Sequence, residues 1–168
     1  MSGCYRVRGS TRGFSLVELL VVLAIMSVLA TVAFPLAELA HRRQKEEELR
    51  DALRQIRTAI DAFKRAVDEG RVSRPPGSSG YPPTLDVLVS GVEDARAGTG
   101  AKVYFLRRIP HDPFQPVSGG GSRGTTGSGW GLRSYASPAD EPRPGEDVYD
   151  IYSLSAETGL NGIPYRQW

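Results

Sequence analysis

"GFSLVELLVVLAIMSVLATVAFP", residues 13–35, decides the fold. Apart from Ser15, Glu18, Ser27, Thr31 and Pro35, the chain is apolar from Phe14 to Ala37. The part after Glu18, Leu19 to Ala37, is about 19 residues, or roughly 28 Å as helix, close to the thickness of a hydrocarbon core. Thirteen Leu, Ile, Val and Phe residues lie between Leu16 and Leu36. At about −0.3 to −0.6 kcal/mol each they outweigh one carboxylate at about +2.5 to +3.5 kcal/mol. The segment reads as a membrane span in spite of Glu18, and the acid needs a reason to be there.

Toward the N-terminus, Arg6, Arg8 and Arg12 form a basic stretch without an acid. Removing those three from 21 basic residues leaves 18 against 19 acidic, so the rest of the 168-residue chain is nearly neutral. With 24% charged residues and a net charge of +2, no basic footprint for nucleic acid exists. Cys4 is the single cysteine, so an intrachain disulfide and a cysteine metal site are both excluded. No apolar stretch precedes Cys4, so a lipoprotein reading fails. Orientation is not set by charge alone, because Arg42, Arg43 and Lys45 follow the span, interleaved with Glu46, Glu47 and Glu48.

Beyond the span the hydrophobic period changes while the helix continues. Leu49, Leu53, Ile56, Ile60, Phe63 and Val67 recur at spacings of four and three, with Ala52, Ala59 and Ala66 beside them. That is one apolar stripe on an otherwise charged helix, and it needs something to pack against. Gly70 is a natural stop, and "SRPPGSSGYPP" cannot continue a helix. A continuous helix from Phe14 to Glu69 has 56 residues and is roughly 84 Å long. Pro35 removes one of its backbone hydrogen bonds, which predicts a bend near residues 31–35. "HRRQKEEELR", residues 41–50, reads as a solvated or intersubunit charged face.

Residues 70–168 read as loop-rich α+β. Thr84 is placed to cap a short helix, "LDVLVSG". "GGGSRGTTGSGWG", residues 119–131, is loop chemistry. "GLRSYAS", "DVYDIYSLS" and "IPYRQW" have the β-branched and aromatic content of three strands, and Asn161-Gly162 is a hairpin signal. The expected fold class is therefore α+β: a long membrane-spanning and amphipathic helix packed on a small antiparallel sheet that covers the Leu49 to Val67 stripe. The organisation is a leader at 1–13, a span at 14–37, an amphipathic continuation at 38–69 and a globular part at 70–168.

Two plainer readings fit the N-terminal layout. One is a cleaved secretory signal with Thr31-Val32-Ala33 as its small-residue site; the length of the apolar run, Glu18 and the continuing amphipathic helix speak against it. The other is an ordinary anchor on an unrelated soluble domain. Neither accounts for the combination of a basic leader, Gly13-Phe14, a small hydroxyl residue, two aliphatics and Glu18, with Pro35 near the end of the run. That combination resembles the class III leader junction of type IV pilins and type II secretion pseudopilins, and it is specific. The resemblance implies that a prepilin peptidase cuts between Gly13 and Phe14 on the cytoplasmic side and methylates the new amino terminus of Phe14. The leader is then cytoplasmic and the C-terminal domain periplasmic, on a single-pass protein of a bacterial inner membrane.

The cut gives Glu18 a partner. It creates an amine at Phe14, and opposite charges attract far more strongly at low dielectric than in water. Glu18 then meets either its own terminus, one helical turn away, or the Phe14 amine of a neighbouring subunit; the alternative is that it snorkels to the headgroups. "YPPTLDVLV", "YFLRRIPHDPF" and "YDIYSLSAETGLNGIPYRQW" extend the resemblance to the globular domain of the major secretion pseudopilins, and so to nearly the whole chain. The resemblance implies identical and related pilin-like subunits and an inner-membrane assembly platform as partners.

In that family a loop after the Tyr-Ser-Leu strand commonly carries aspartates that bind Ca²⁺. Here "SLSAETGLNG" offers Glu157, Asn161 and main-chain carbonyls, against the six to eight oxygens calcium takes. No cofactor is expected, and Glu157 and Asn161 are weak calcium candidates. Enzyme signals are also weak. His41 and His111 have no nucleophile motif beside them, and Asp112 before Pro113 reads as a turn former. The expected role is a structural subunit of a secretion pseudopilus, not an enzyme. The rivals are a type IV pilin or minor pilin for adhesion, motility or DNA uptake, and a membrane-anchored binding or catalytic domain.

Overall fold

The computed structural model describes residues 13–98, 100–115 and 129–168. The leader up to Arg12 and residues 116–128 of the glycine-rich stretch lie outside them, as does Cys4. Helix α1 runs from Leu16 to Asp68, 53 residues, and its backbone is helical through Pro35. It begins two residues later than the expected start at Phe14. Ser15 takes the N-cap position, its carbonyl accepting from the Leu19 N–H at 3.2 Å. The chain divides into two compact units, Met1–His41 and Arg42–Trp168.

In the first unit every described side chain from Gly13 to Thr31 and from Leu36 to His41 is exposed. Among the described residues α1 is the one helix long and apolar enough to cross a bilayer. Its hydroxyls are satisfied within the helix: Ser27 Oγ donates to the Leu23 carbonyl at 2.8 Å and Thr31 Oγ1 to that of Val28 at 2.7 Å. Polar groups closed off in this way are what an apolar medium requires.

In the second unit the stripe is buried as its spacing predicts. Leu49, Ala52, Leu53, Ile56, Ala59, Ile60, Phe63, Ala66 and Val67 form one cluster with Leu88, Trp130, Leu132, Val148, Ile151 and Tyr165. The helix ends in a Schellman motif. Gly70, at φ +70°, donates to the Val67 carbonyl at 2.9 Å and Arg71 to that of Ala66 at 2.8 Å. A side chain is disfavoured at that φ, which is why the stop falls on a glycine.

The fold is α+β, but its sheet is two separate antiparallel pairs and not three strands. β1 (Val92–Glu93) pairs with β2 (Lys102–Val103), and β3 (Trp130–Arg133) with β4 (Asp150–Ser153) in the register Gly131↔Tyr152. The first pair is too short to leave an alternating pattern in the sequence. Trp130, expected in the loop, joins the expected strand at Gly131 in β3, and it is buried with its Nε1 donating to the Pro110 carbonyl at 2.8 Å. "IPYRQW" is not a strand. Pro164 has no N–H for a ladder, so pairing stops at one bridge, Thr158↔Pro164, and Tyr165–Gln167 turns as a 3₁₀ helix. The Asn161-Gly162 turn is present, but only Gly162 takes positive φ, at 79°, with its N–H on the Gly159 carbonyl at 2.9 Å.

The short helix α2 spans Asp86–Ser90. Thr84 does not cap it. Leu85 occupies the cap position and, being leucine, has no side-chain acceptor to offer; its side chain is buried in the core with Leu88.

Candidate functional site

The residues of the processing reading sit together at the start of α1. Gly13 and Phe14 precede the helix and are exposed, and Glu18 lies exposed in the first turn. A carboxylate there lies at the positive end of the helix dipole, which attracts negative charge. In this chain the Phe14 nitrogen is a backbone amide, and the expected pairing with Glu18 requires a cut before Phe14. Phe14 lies two residues ahead of the first helical residue, Leu16. The apolar side chains that follow, Leu16 to Leu29, stand exposed all round the helix. This surface is complete only against lipid or other helices.

The calcium candidates Glu157 and Asn161 lie in the second unit, in the loop after β4. Glu157 is exposed and lies 3.8 Å from the Arg42 guanidinium; the Asn161 Oδ1 accepts from the Ile163 N–H at 3.0 Å. Among the described residues no group of three or more His, Cys, Asp or Glu side chains is arranged to hold a metal.

"HRRQKEEELR" is not uniformly a solvated face. Glu46 is buried at 4% exposure and Arg42 is half-buried. Arg42 Nε donates to the Tyr165 hydroxyl at 3.3 Å, and its Nη2 donates to the Thr158 carbonyl. The Tyr165 hydroxyl in turn donates to Glu46 Oε1 at 3.0 Å, which also accepts the Leu160 N–H at 2.6 Å. Burial, opposed by Arg42 and aided by Glu46, pushes the Tyr165 phenol up; the Tyr165 hydroxyl, ahead of the nearby carboxylates, pushes Arg42 up. The sequence carried a signal for this. Arg42 and Glu46 precede Leu49 by seven and three residues, so they continue the four-three spacing of the buried stripe.

Asp112 forms a turn, as its place before Pro113 predicts, and does more. It is 1% exposed, its Oδ1 accepts the Phe114 N–H at 2.9 Å, and its Oδ2 accepts the Ser153 hydroxyl at 2.5 Å. The turn is thereby tied to β4. His41 and His111 are both exposed. A groove of about 920 Å³ lined by Phe63, Val67, Tyr81, Tyr135 and Asp147 has serines and carboxylates but no histidine or lysine in its lining. Ser79 donates to Asp147 there. Burial acts to raise that carboxyl, but hydrogen bonds from Ser79, the Tyr135 N–H and Ser134 outweigh it and hold the group below its usual value. A carboxylate so stabilised is a weaker base than a free one.

A long helix with an apolar exposed start, an acid in its first turn and a buried amphipathic second half packed on short antiparallel strands defines a pilin-like α+β protein. The family model for the prokaryotic N-terminal methylation motif matches residues 8–34, which include Gly13, Phe14 and Glu18. The type II secretion system core protein G of Klebsiella michiganensis is 29% identical over 112 residues, covering 64% of this chain and 70% of that protein. No solved structure matches the chain significantly. The chain is thus similar to prepilin-type proteins at its N-terminal motif and to a type II secretion core protein over 64% of its length.

Proposed function

We propose that the chain is a structural subunit of a type II secretion pseudopilus, a helical filament that drives protein export across the outer membrane. The observation that carries this reading is the joint similarity, to the methylation motif at residues 8–34 and to a type II secretion core protein over 112 aligned residues. The exposed apolar start of α1 supports it, since such a surface calls for lipid before assembly and for other helices after it. The precursor crosses the inner membrane once, with the leader in the cytoplasm and the α+β part in the periplasm. A prepilin peptidase cuts between Gly13 and Phe14 and methylates the Phe14 amine. Identical and related subunits, brought together by an inner-membrane assembly platform, then pack through the apolar helices. The role is architectural and calls for no catalysis.

Glu18 is the residue whose charge acts in assembly. An ionised acid among apolar helices is costly unless paired, and the amine released at Phe14 of a neighbour is the available cation. Glu18→Ala should therefore insert and be cleaved normally while filament yield falls at least about tenfold, the equivalent of about 1.4 kcal/mol per joined subunit. Normal yield of sheared filaments from that variant would overturn the assignment. Gly13→Ala should accumulate as the uncut precursor on a blot, and normal processing would count against the cleavage site.

A further inference from the structure

We propose that the loop of residues 157–165 is closed by a clamp from helix α1, made of Arg42 and Glu46, and that this clamp stands where the resemblance to the major secretion pseudopilins implies a calcium ion. The loop does not fit a hard cation. Its one carboxylate, Glu157, faces the Arg42 guanidinium at 3.8 Å and is otherwise exposed. Asn161 Oδ1 is taken by the Ile163 N–H. Four of the loop's carbonyls are engaged as well. That of Glu157 accepts from the Tyr165 N–H at 3.1 Å, that of Thr158 from Arg42, and that of Gly159 from the Gly162 N–H at 2.9 Å. The Ile163 carbonyl accepts from both the Gly159 N–H and the Trp168 indole, at 2.9 and 3.2 Å. Calcium needs six to eight oxygens on one centre, and these point to different partners.

The loop is also packed where an ion would need room. A side-chain carbon added at Gly159 would lie 2.5 Å from the Trp168 ring and 2.7 Å from Asn161 Oδ1. A fixed guanidinium supplies positive charge to Glu157 and Thr158 from one side. The buried Glu46 carboxylate takes the Leu160 N–H and the Tyr165 hydroxyl from the other, so the loop's polar backbone is met with both signs of charge. Charge-assisted bonds of this kind are the stronger class, and Arg42 brings the fork geometry that lysine lacks.

The proposal is independent of filament assembly and is tested on the monomeric full chain in detergent. Thermal unfolding is followed with millimolar calcium chloride and with chelator, and hydrogen exchange is read on the amides of residues 157–165. The wild type should unfold at the same temperature in both media. Arg42→Gln and Glu46→Ala should speed exchange at Leu160 and Tyr165 by at least about tenfold, with calcium restoring nothing. Arg42→Lys, which keeps the charge but not the fork, should fall between Arg42→Gln and wild type. A calcium-dependent rise in the wild-type midpoint would overturn the proposal without any variant. So would unchanged exchange in both Arg42→Gln and Glu46→Ala.

Discussion

Replacing Asp112 by Ala tests the packing of the domain at its most informative buried polar group. The carboxylate is 1% exposed and accepts two hydrogen bonds, from the Phe114 N–H at 2.9 Å and from Ser153 Oγ at 2.5 Å. Bonds to a charged acceptor contribute about 1.5–3 kcal/mol each. Ser153 is fully buried, so truncation strands its hydroxyl hydrogen away from water; Phe114 is half-buried, and water can reach its N–H. The expected loss is therefore about 3 kcal/mol, or a fall in midpoint of roughly 6–12 °C for a chain of this size. Urea unfolding of the detergent-solubilised chain, followed by circular dichroism, measures it. Asp112→Asn keeps an acceptor for Phe114 and should lose only about 1 kcal/mol. The double variant with Ser153→Ala should show a coupling of about 1 kcal/mol or more, because it removes the stranded donor. A loss under about 0.5 kcal/mol for Asp112→Ala, or no coupling, would refute the reasoning.

Gly131→Ala puts a carbon within 2.3 Å of the ring of Tyr152, its cross-strand partner, and should cost about 1–3 kcal/mol by overpacking. A second change, Tyr152→Ala, should cancel most of that excess in the same unfolding assay; a neutral Gly131→Ala would mean that the ring swings away freely. Acid should weaken the domain through Asp94 and Asp147. The Arg71 guanidinium, bonded at 2.8 and 3.1 Å, holds Asp94 below its usual value, and the bonds described above do the same for Asp147 against burial. A depressed folded pKa gives stability that is complete above the unfolded value, about pH 4, and is lost as pH falls through the folded values. The urea midpoint should therefore be flat from about pH 7 to 5 and drop below about pH 4, less steeply in Asp147→Asn. A midpoint unchanged down to about pH 3 would contradict the assignment.

The parts of the fold that were readable from the sequence are those governed by long periodic patterns. An apolar run over Leu19 to Ala37, interrupted only by Ser27, Thr31 and Pro35, and a four-three stripe from Leu49 to Val67, each repeat enough to outweigh local noise, and Gly70 closes the stripe with backbone chemistry that few residues share. The failures have a common cause in tertiary context. The cap of the short helix falls one residue past Thr84, at Leu85, whose side chain the core buries, so the expected threonine cap is lost. The aromatic and β-branched "IPYRQW" lost its strand to Pro164, whose missing N–H ends the ladder after one bridge, and Tyr165 is held in place by a helix more than a hundred residues earlier. β1 and β2, at two residues each, fall below the length at which alternation can be detected.

Arg42 and Glu46 show why the boundary between apolar and charged residues along α1 misled the reading. Their spacing places them on the buried stripe, yet their charge suggests solvent. The loop they meet resolves the conflict. It presents the Leu160 N–H and the Thr158 carbonyl toward the helix, and apolar side chains at positions 42 and 46 would cover those groups without bonding them. Each buried polar group left unpaired costs about 1–3 kcal/mol, comparable to what a buried leucine contributes by leaving water. Leucine at either position would therefore continue the pattern and gain little, whereas an arginine and a glutamate one turn apart satisfy a donor, an acceptor and the Tyr165 hydroxyl between them. The polar residues in the stripe are there because the segment packed on them is irregular backbone, and irregular backbone must be answered by side chains.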